Sequence, residues 1–456
     1  MRPFARRITR RDILRGGIAG LGVSLLAPLS PARADDPAPK RLVMVEMQGG
    51  WDMLLSTDPR DPHGTYTGID LGTDALDPIY RTPRSTRIGT GAFARDALLG
   101  STTAALAPHD ALLTLVRGLN MNTVSHPTGR AYMATGIAPA GTSPRGSSIG
   151  CGVADAWNRS AAPPLLPHVS LGGVAYNRDY DESASALMLA QANEVPDLLR
   201  PRRARRTRDE TVAADLEALL TAARSPSYLG DDGMDPDARG GIERAMDDAR
   251  SRLRSVDAEG LAARFDFSSR TDLQTLYGPD VSRTQPSPAL AAATAAQLVK
   301  DASATDHALT AAVEVLLGTQ LDTHRDWATD HPAALQPAFD ALGAMLTDLR
   351  SSDPMLENTI VVVHSEFGRS ALMNGSGGRD HHFASSMMIY GSSLATGVFG
   401  ATGEQDLGLV AIDRGTGLPS ASGAVLQPED VFATLAAALS LDPSPYRTTP
   451  LPLVRA

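Results

Sequence analysis

The chain has 456 residues, of which 42 are Lys or Arg and 52 are Asp or Glu, so its formal net charge is −10. Apolar residues make up 42%, which is enough for a large core but is too well mixed with polar residues for a polytopic membrane protein. The single cysteine excludes an internal disulfide and any metal site built from several thiolates.

The first 34 residues have the pattern of an export signal rather than of folded structure. Arg10 and Arg11 precede an apolar, Gly-rich stretch at 18–29, and Ala32-Arg33-Ala34 supplies a cleavage site of small residues. This stretch is too short for a membrane span, which needs about 20 apolar residues. We therefore predict a twin-arginine signal over 1–34, recognition by the twin-arginine export machinery, and a periplasmic or secreted protein with no stable membrane span after cleavage.

Removal of the signal makes the protein more acidic. Residues 1–34 contain seven arginines and one aspartate, so the net charge falls from −10 to −16. Nucleic-acid binders instead cluster Lys and Arg on one face. We expect no nucleic-acid partner, and we interpret the basic run at 200–208 as a solvated loop.

Apolar runs and helical spacing alternate along residues 35–456, which we treat as one α/β domain. Buried strands are predicted at 41–47 and 359–364, where β-branched and apolar residues are continuous. Helices are predicted at 209–220, 242–256, 289–317, 333–350 and 428–441. This alternation favours a parallel or mainly parallel sheet, with 200–300 as a helical insertion or cap.

Acidic and histidine residues follow the predicted strands, where open α/β sheets bind their ligands. Four segments qualify: Gly49-Gly50-Trp51-Asp52, Leu321-Asp322-Thr323-His324, Ser365-Glu366-Phe367-Gly368-Arg369 and Gly377-Gly378-Arg379-Asp380-His381-His382. Each segment alone is also compatible with a solvated turn, a surface hydrogen bond or, for Glu366, a salt bridge to Arg369.

Together, the four segments predict a site of carboxylates and imidazoles for a divalent cation, which could be zinc, manganese, magnesium or calcium. The candidate ligands are Asp52, Asp322, His324, Glu366, Asp380 and one of His381 and His382. Only one of the two adjacent histidines is expected to be a ligand, because neighbouring side chains point in different directions. The number of ions is left open.

These motifs, in this order after a twin-arginine signal, resemble the bacterial DUF1501 family, whose core is similar to the alkaline phosphatase and sulfatase superfamily. The resemblance covers nearly the whole mature chain. It implies an α/β, alkaline-phosphatase-like sandwich, in which a mixed, mainly parallel sheet lies between helices and metal-binding groups occupy the strand ends. The chain departs from the superfamily pattern at Phe367, where histidine is usual, and in the close spacing of Asp322 and His324.

The segment from Ser125 to Gly136 resembles the superfamily segment that carries the nucleophile. The resemblance places Arg130 at the arginine position and His126 at the nucleophile position, with Ser125 and Thr128 on either side. The attacking group could be a hydroxyl of this segment or a water activated by the cation. The segment could also be a turn and helix cap without a catalytic role.

The leading functional hypothesis is a metal-dependent hydrolase of a small anionic phosphate or sulfate ester, with Arg130 or Arg369 holding the ester oxygens. The alternative is a periplasmic binding or assembly protein that keeps the fold without the chemistry. A phosphomutase-like or other transferase use of the same site is a third possibility.

Overall fold

A mixed sheet forms the centre of the protein. The computed structural model describes residues 39–71, 82–160, 163–199, 263–283, 285–300 and 309–455. Within these ranges, eight strands, numbered along the chain, form one sheet in the order β12 (Gly397–Gly400), β4 (Leu113–Asn120), β11 (Ala384–Tyr390), β8 (Thr359–His364), β1 (Arg41–Met47), β7 (Ala312–Gly318), β5 (His168–Leu171) and β6 (Leu187–Leu189). Only β11 runs antiparallel to its neighbours, and the other pairs are parallel. The prediction of a mixed, mainly parallel α/β fold is therefore confirmed.

The strands are β1 (Arg41–Met47), β2 (Arg84–Ile88), β3 (Arg95–Leu99), β4 (Leu113–Asn120), β5 (His168–Leu171), β6 (Leu187–Leu189), β7 (Ala312–Gly318), β8 (Thr359–His364), β9 (Gly368–Arg369), β10 (His381–His382), β11 (Ala384–Tyr390) and β12 (Gly397–Gly400). The α-helices are α1 (His126–Thr135), α2 (Ile149–Asn158), α3 (Glu194–Leu199), α4 (Thr271–Tyr277), α5 (Pro288–Val299), α6 (Trp327–Arg350) and α7 (Pro428–Ala438). Short 3-10 helices lie at Ser101–Leu112, Glu182–Ala184, Pro279–Ser282 and Ser444–Tyr446. Two small antiparallel ladders, β2 with β3 and β9 with β10, stand outside the main sheet.

The central strands are buried on both faces, which explains why their sequences are continuously apolar. All six residues of β8 are buried, and so are the last six of β1. One face packs with residues of α1, α2 and α7 in a single apolar cluster. Helices α5 and α6 pack on β7. Helices therefore flank the sheet, and its strand ends remain as the place where polar groups can gather.

Two predicted strands, β1 and β8, and the helix predicted at 333–350 are confirmed, although α6 begins earlier, at Trp327. The helix predicted at 289–317 is wrong at its end, because 312–318 forms strand β7. In β7 a valine lies on each side of Glu314, which is the period of two that is typical of a strand. The chain adopts this strand although its Ala and Leu residues favour a helix.

The predicted signal at 1–34 and the predicted helices at 209–220 and 242–256 lie outside the described residues. The chain forms two compact units, and the sheet belongs to the one made of Ser30–Glu194 and Phe267–Ala456. No helix in the described ranges is both long and apolar enough to cross a membrane.

Candidate metal centre

The candidate site lies at the carboxyl ends of three strands of the main sheet. Helix α1 starts with His126 a few residues after β4, Asp322 follows β7, and Glu366 follows β8. Strand β10 brings His381 to the same edge. This is the edge at which open α/β sheets bind ligands, because neighbouring loops diverge there and leave a crevice.

The carboxylate of Asp322 is the meeting point of three imidazoles. The Nε2 atoms of His324 and His381 each lie 3.0 Å from Oδ1 of Asp322, and Nε2 of His126 lies 3.2 Å from Oδ2. The Nε2 atoms of His324 and His381 are 3.0 Å apart. Ligand atoms of His126, Asp322 and His381 all lie within 4.8 Å of one another. Neighbouring ligand atoms around tetrahedral zinc are about 3.4 Å apart, so this group has suitable dimensions for one cation.

Each of the three imidazoles is held by an acceptor on its other nitrogen. The three Nδ1 contacts are His126 with Oε1 of Glu366 at 2.8 Å, His324 with Oδ1 of Asp380 at 2.8 Å, and His381 with the carbonyl oxygen of Val124 at 2.6 Å. Because carbonyl and ionised carboxylate oxygens only accept hydrogen bonds, each Nδ1 carries the proton. In the neutral imidazole, Nε2 is then the atom with the free lone pair, as in histidines that bind metals.

The Nε2 atom of His126 gives the sharpest test of whether a cation fits. This atom is buried and, among the described residues, it has no hydrogen-bond partner. The nearby Oδ2 of Asp322, at 3.2 Å, does not lie in hydrogen-bonding geometry with it. A lone pair and a carboxylate oxygen therefore face each other across a short gap, an arrangement that a cation between them stabilises.

Burial and hydrogen bonding together shift the pKa values of three side chains in the group. The hydrogen bond to Glu366 raises the pKa of His126 despite partial burial. Burial alone would raise the pKa of Glu366, but hydrogen bonds from His126 and the Gly49 amide outweigh it and lower that pKa. Burial likewise opposes ionisation of Asp322, but the hydrogen bond from Arg369 and its positive charge outweigh burial and lower that pKa. Both carboxylates are therefore held ionised.

One arginine, from the third motif, holds the loops of the site together. Arg369 is fully buried and donates to the carbonyl oxygens of Gly49, Gly50 at 3.0 Å and Arg379 at 2.9 Å. It also donates to Oδ1 of Asp322 at 2.7 Å, which orients that carboxylate. Because the guanidinium is surrounded by these acceptors, its role in this structure is to position the loops and Asp322.

Gly49 illustrates why the first motif needs glycine. Its φ is +116°, and a Cβ there would lie 2.5 Å from the backbone nitrogen of Asp322. Gly129 plays a similar part in α1, since its Cβ would lie 2.6 Å from the carbonyl oxygen of Glu366. Both glycines let backbone segments approach closely enough to bring the carboxylates and His126 together.

The comparison with protein families agrees with the motifs. The family described as "Protein of unknown function (DUF1501)" matches residues 39–450. The chain belongs to the DUF1501 family. No curated protein matches it in sequence.

Three solved structures resemble this DUF1501 chain distantly. Ps i-CgsB in complex with k-i-k-neocarrahexaose is 9% identical with a TM-score of 0.35, and the match covers 90% of this chain and 75% of that one. The C-terminal periplasmic domain of EcEptC from Escherichia coli, in complex with Zn, is 10% identical with a TM-score of 0.28, covering 80% and 77%. A Bacteroides thetaiotaomicron structure described with the metabolism of multiple glycosaminoglycans is 9% identical with a TM-score of 0.32, covering 89% and 74%. At such low TM-scores these likenesses assign no role to any residue of this chain.

Some of the sequence-predicted ligands lie outside the group around Asp322. Asp52 is buried, accepts from the backbone amide of Leu54 at 2.8 Å, and lies 3.2 Å from Nε of Arg379. His382 is turned away, and its Nδ1 accepts from the amide of Ala384 at 3.3 Å. Glu366 and Asp380 contact the Nδ1 atoms of His126 and His324, so each holds an imidazole in place instead of facing the Asp322 carboxylate.

The residues predicted to be catalytic in the segment from Ser125 to Arg130 make contacts outside the group around Asp322. Arg130 forms a two-pronged ion pair with Glu46, whose second contact is 2.9 Å long. Thr128 donates to the hydroxyl of Ser125 at 3.3 Å, near the start of α1. Within the described residues, neither hydroxyl forms a hydrogen bond with Asp322 or with the three imidazoles, so the structure singles out neither as a nucleophile.

His126 was not predicted as a ligand, because the family resemblance places it only at the nucleophile position. Strand β4, whose end brings α1 to the site, was not predicted either. The apolar run Leu112-Leu113-Thr114-Leu115-Val116 was the available signal for that strand.

The group opens into a cleft of about 710 Å³. Asp322 and His324 line it together with Arg325, Asp326 and Asp330. The side chains of Asp322 and His324 are about half exposed, at 45% and 44%, so a molecule in the cleft can reach them. The volume is in the range of small-molecule sites in proteins.

Proposed function

We propose that this protein is an exported, metal-dependent hydrolase of a phosphate or sulfate ester. The observation that supports the proposal best is the pair of Nε2 atoms, from His126 and His381, that face the Asp322 carboxylate while their Nδ1 atoms are held by acceptors. The ester class is the one that the motif resemblance implies, and the cleft beside Asp322 has room for a small substrate.

His126, Asp322 and His381 are the proposed ligands of one divalent cation. Two imidazoles and one carboxylate form a donor set that zinc uses in hydrolases, with a further coordination position left open. When bound, zinc would supply Lewis acidity toward an ester oxygen and would lower the pKa of a water molecule. Arg369 orients Asp322, and Glu366 orients His126, so the chain holds the donors in place before any ligand arrives.

His324 and Asp380 form the proposed proton-transfer pair. Nδ1 of His324 lies 2.8 Å from Asp380, and its Nε2 faces both the ligand group and the cleft. Nε2 can therefore accept a proton from an attacking water in the cleft, while the Asp380 carboxylate stabilises the resulting imidazolium. Arg325 is the cationic side chain in the cleft lining and is the proposed contact for ester oxygens.

The non-catalytic alternative is favoured by one specific observation. The two arginines predicted to hold ester oxygens, Arg130 and Arg369, are engaged with Glu46 and with loop carbonyls. This leaves fewer cationic groups for an anionic transition state than an efficient phosphatase would use. A protein that binds a cation and an anion without turnover would need no more than the observed set.

Four variants separate these functions, with metal content and turnover of para-nitrophenyl phosphate and para-nitrophenyl sulfate as readouts. We expect His381→Gln and Asp322→Ala to lose both metal and turnover, and His324→Gln to keep metal while losing turnover. His382→Gln is the matched control, because this neighbouring imidazole is turned away, and it should keep both. Metal retained without turnover of either ester would support the binding protein. Turnover in metal-free protein or in Asp322→Ala would contradict the metalloenzyme.

Export by the twin-arginine pathway is a separate part of the proposal. It is supported by Arg10 and Arg11 ahead of a short apolar stretch and a cleavage site of small residues. Replacing both arginines by lysine should leave the precursor in the cytoplasm, as measured by cell fractionation. Unchanged appearance of shortened protein in the periplasmic fraction would contradict this route.

A further inference from the structure

The buried imidazole of His331 connects two of the loops that form the candidate metal centre. His331 lies near the start of α6 and is fully buried. Its Nε2 lies 3.0 Å from the backbone nitrogen of Asp52, and its Nδ1 lies 2.9 Å from the hydroxyl oxygen of Thr323. One ring therefore joins the first motif to the second, from beneath the group around Asp322.

The partners of this ring determine where its proton lies. A backbone amide only donates a hydrogen bond, so Nε2 of His331 accepts from Asp52 and carries no proton. The single proton of the neutral ring is then on Nδ1, which donates it to the Thr323 hydroxyl. Burial, together with the positive charges of Arg369 and Arg379, lowers the pKa of His331 to about 3, so the ring stays neutral near pH 7. Both hydrogen bonds therefore have a fixed direction.

Thr323 lies between the two residues of the second motif that face the site. Asp322 precedes it as a proposed ligand, and His324 follows it as the proposed proton acceptor. Both neighbours are about half exposed, whereas Thr323 is buried. Its amide donates to the carbonyl oxygen of Leu321 at 3.0 Å, which makes the segment a tight turn. A bond that holds the Thr323 side chain in the interior therefore directs the side chains on either side of it outward.

We propose that His331 is a positioning residue of the metal centre. Its ring holds the Thr323 hydroxyl, and this contact fixes the turn from which Asp322 faces the cation and His324 faces the cleft. The second contact, with the Asp52 amide, keeps the ring from rotating away from Thr323. This role rests on the metal centre of the proposed hydrolase, but it is independent of ester turnover because His331 controls metal affinity.

A competition titration of zinc against a chromophoric chelator measures this role. His331→Leu removes both hydrogen bonds, and Thr323→Val removes only the hydroxyl while it preserves the shape of the side chain. Each should weaken zinc binding roughly tenfold, because loss of a group that orients metal ligands costs about 10- to 100-fold in affinity. The double variant should bind zinc about as weakly as His331→Leu alone, since both changes remove the same hydrogen bond. Thr323→Val tests that bond even where His331→Leu fails to fold.

His331→Gln tests whether the hydrogen bonds, rather than the ring, are what the site needs. The amide of glutamine has one acceptor and one donor group, so it can accept from Asp52 and donate to Thr323. We expect His331→Gln to bind zinc more tightly than His331→Leu does.

His109→Leu is the matched control for general loss of stability. His109 is also buried, and it contacts α6 near the opposite end of that helix. Its Nε2 lies 3.3 Å from the carbonyl oxygen of Gly343 and 3.3 Å from the hydroxyl of Thr347. His109→Leu should lower the midpoint of thermal unfolding, as His331→Leu does, but should leave zinc affinity unchanged.

The possible failures are distinguishable. Wild-type zinc affinity in His331→Leu and Thr323→Val would overturn the positioning role and leave the metal centre intact. The same conclusion follows if His331→Gln binds zinc no better than His331→Leu, or if His109→Leu weakens zinc binding equally. Wild-type protein that binds no zinc would instead overturn the metal centre, and the role of His331 with it.

Discussion

Replacing Glu366 by Gln tests whether a buried carboxylate prepares His126 to bind a cation. The side chain is almost fully buried, and Oε1 accepts from Nδ1 of His126 and from the Gly49 amide, both at 2.8 Å. Oε2 accepts from the Ser365 hydroxyl at 3.1 Å. Glutamine can keep the two bonds at Oε1 and place its amide nitrogen toward Ser365, so the substitution changes charge much more than shape.

The expected loss of metal affinity follows from the difference in strength between a hydrogen bond to a charged carboxylate and one to a neutral amide. That difference is about 1 kcal/mol, which corresponds to a somewhat less than tenfold weaker metal affinity. Glu366→Ala also removes the orientation of His126 and should cost roughly 10- to 100-fold. A competition titration of zinc against a chromophoric chelator measures both values. Glu357→Gln, at an exposed position, is the control and should match wild type.

The same variant predicts a change in acid stability. The native pKa of Glu366 lies below its ordinary value of 4.5. Its ionised form therefore stabilises the fold above about pH 4.5, and this contribution is lost as pH falls through the lower native pKa. Glu366→Gln should thus flatten the metal-free stability curve in this acidic range, as measured by urea unfolding. Wild-type metal affinity together with an unchanged acid limb would refute the role of Glu366.

Three further predictions concern the surrounding structure. Arg369→Lys should lower both the midpoint of thermal unfolding and the metal affinity, because one ammonium group cannot reach all the acceptors that the buried guanidinium contacts. Wild-type values for both quantities would contradict this. Adding zinc to metal-free protein should raise the unfolding temperature in a concentration-dependent way, and an Asp322→Ala variant should show a much smaller rise. Burial raises the pKa of Cys151 to about 12, so its thiol should resist iodoacetamide at pH 8 until the chain is unfolded, and rapid labelling of folded protein would contradict that burial.

The parts of the fold that sequence could predict are those with a repeated physical pattern. Strands β1 and β8 are buried on both faces, so their continuous apolar runs identified them. Strand β7 has a similar run, but its Ala and Leu content also fits a helix, and the surrounding sheet decides between the two. Tertiary pairing of this kind is invisible in a single sequence.

The candidate site was predictable in its location but not in its division of roles. Asp322 and His324 were found because they end an apolar segment, and His381 because it lies beside Asp380 and a second histidine after a loop of small residues. Nothing in the sequence distinguishes a carboxylate that faces a cation from one that holds an imidazole, and Glu366 is of the second kind here. Whether Asp52 binds a metal also depends on its spatial neighbour Arg379, far away in the chain.

X-ray absorption at the zinc edge tests the central proposal most directly. Zinc-loaded mature protein should show nitrogen or oxygen neighbours at about 2.0 Å, with the multiple scattering of at least two imidazoles and no sulfur. His381→Gln should remove one imidazole contribution or abolish zinc binding, whereas His382→Gln should leave the spectrum unchanged. A shell without imidazole, or a spectrum that changes only in the His382 variant, would contradict a metal centre built on His126, Asp322 and His381.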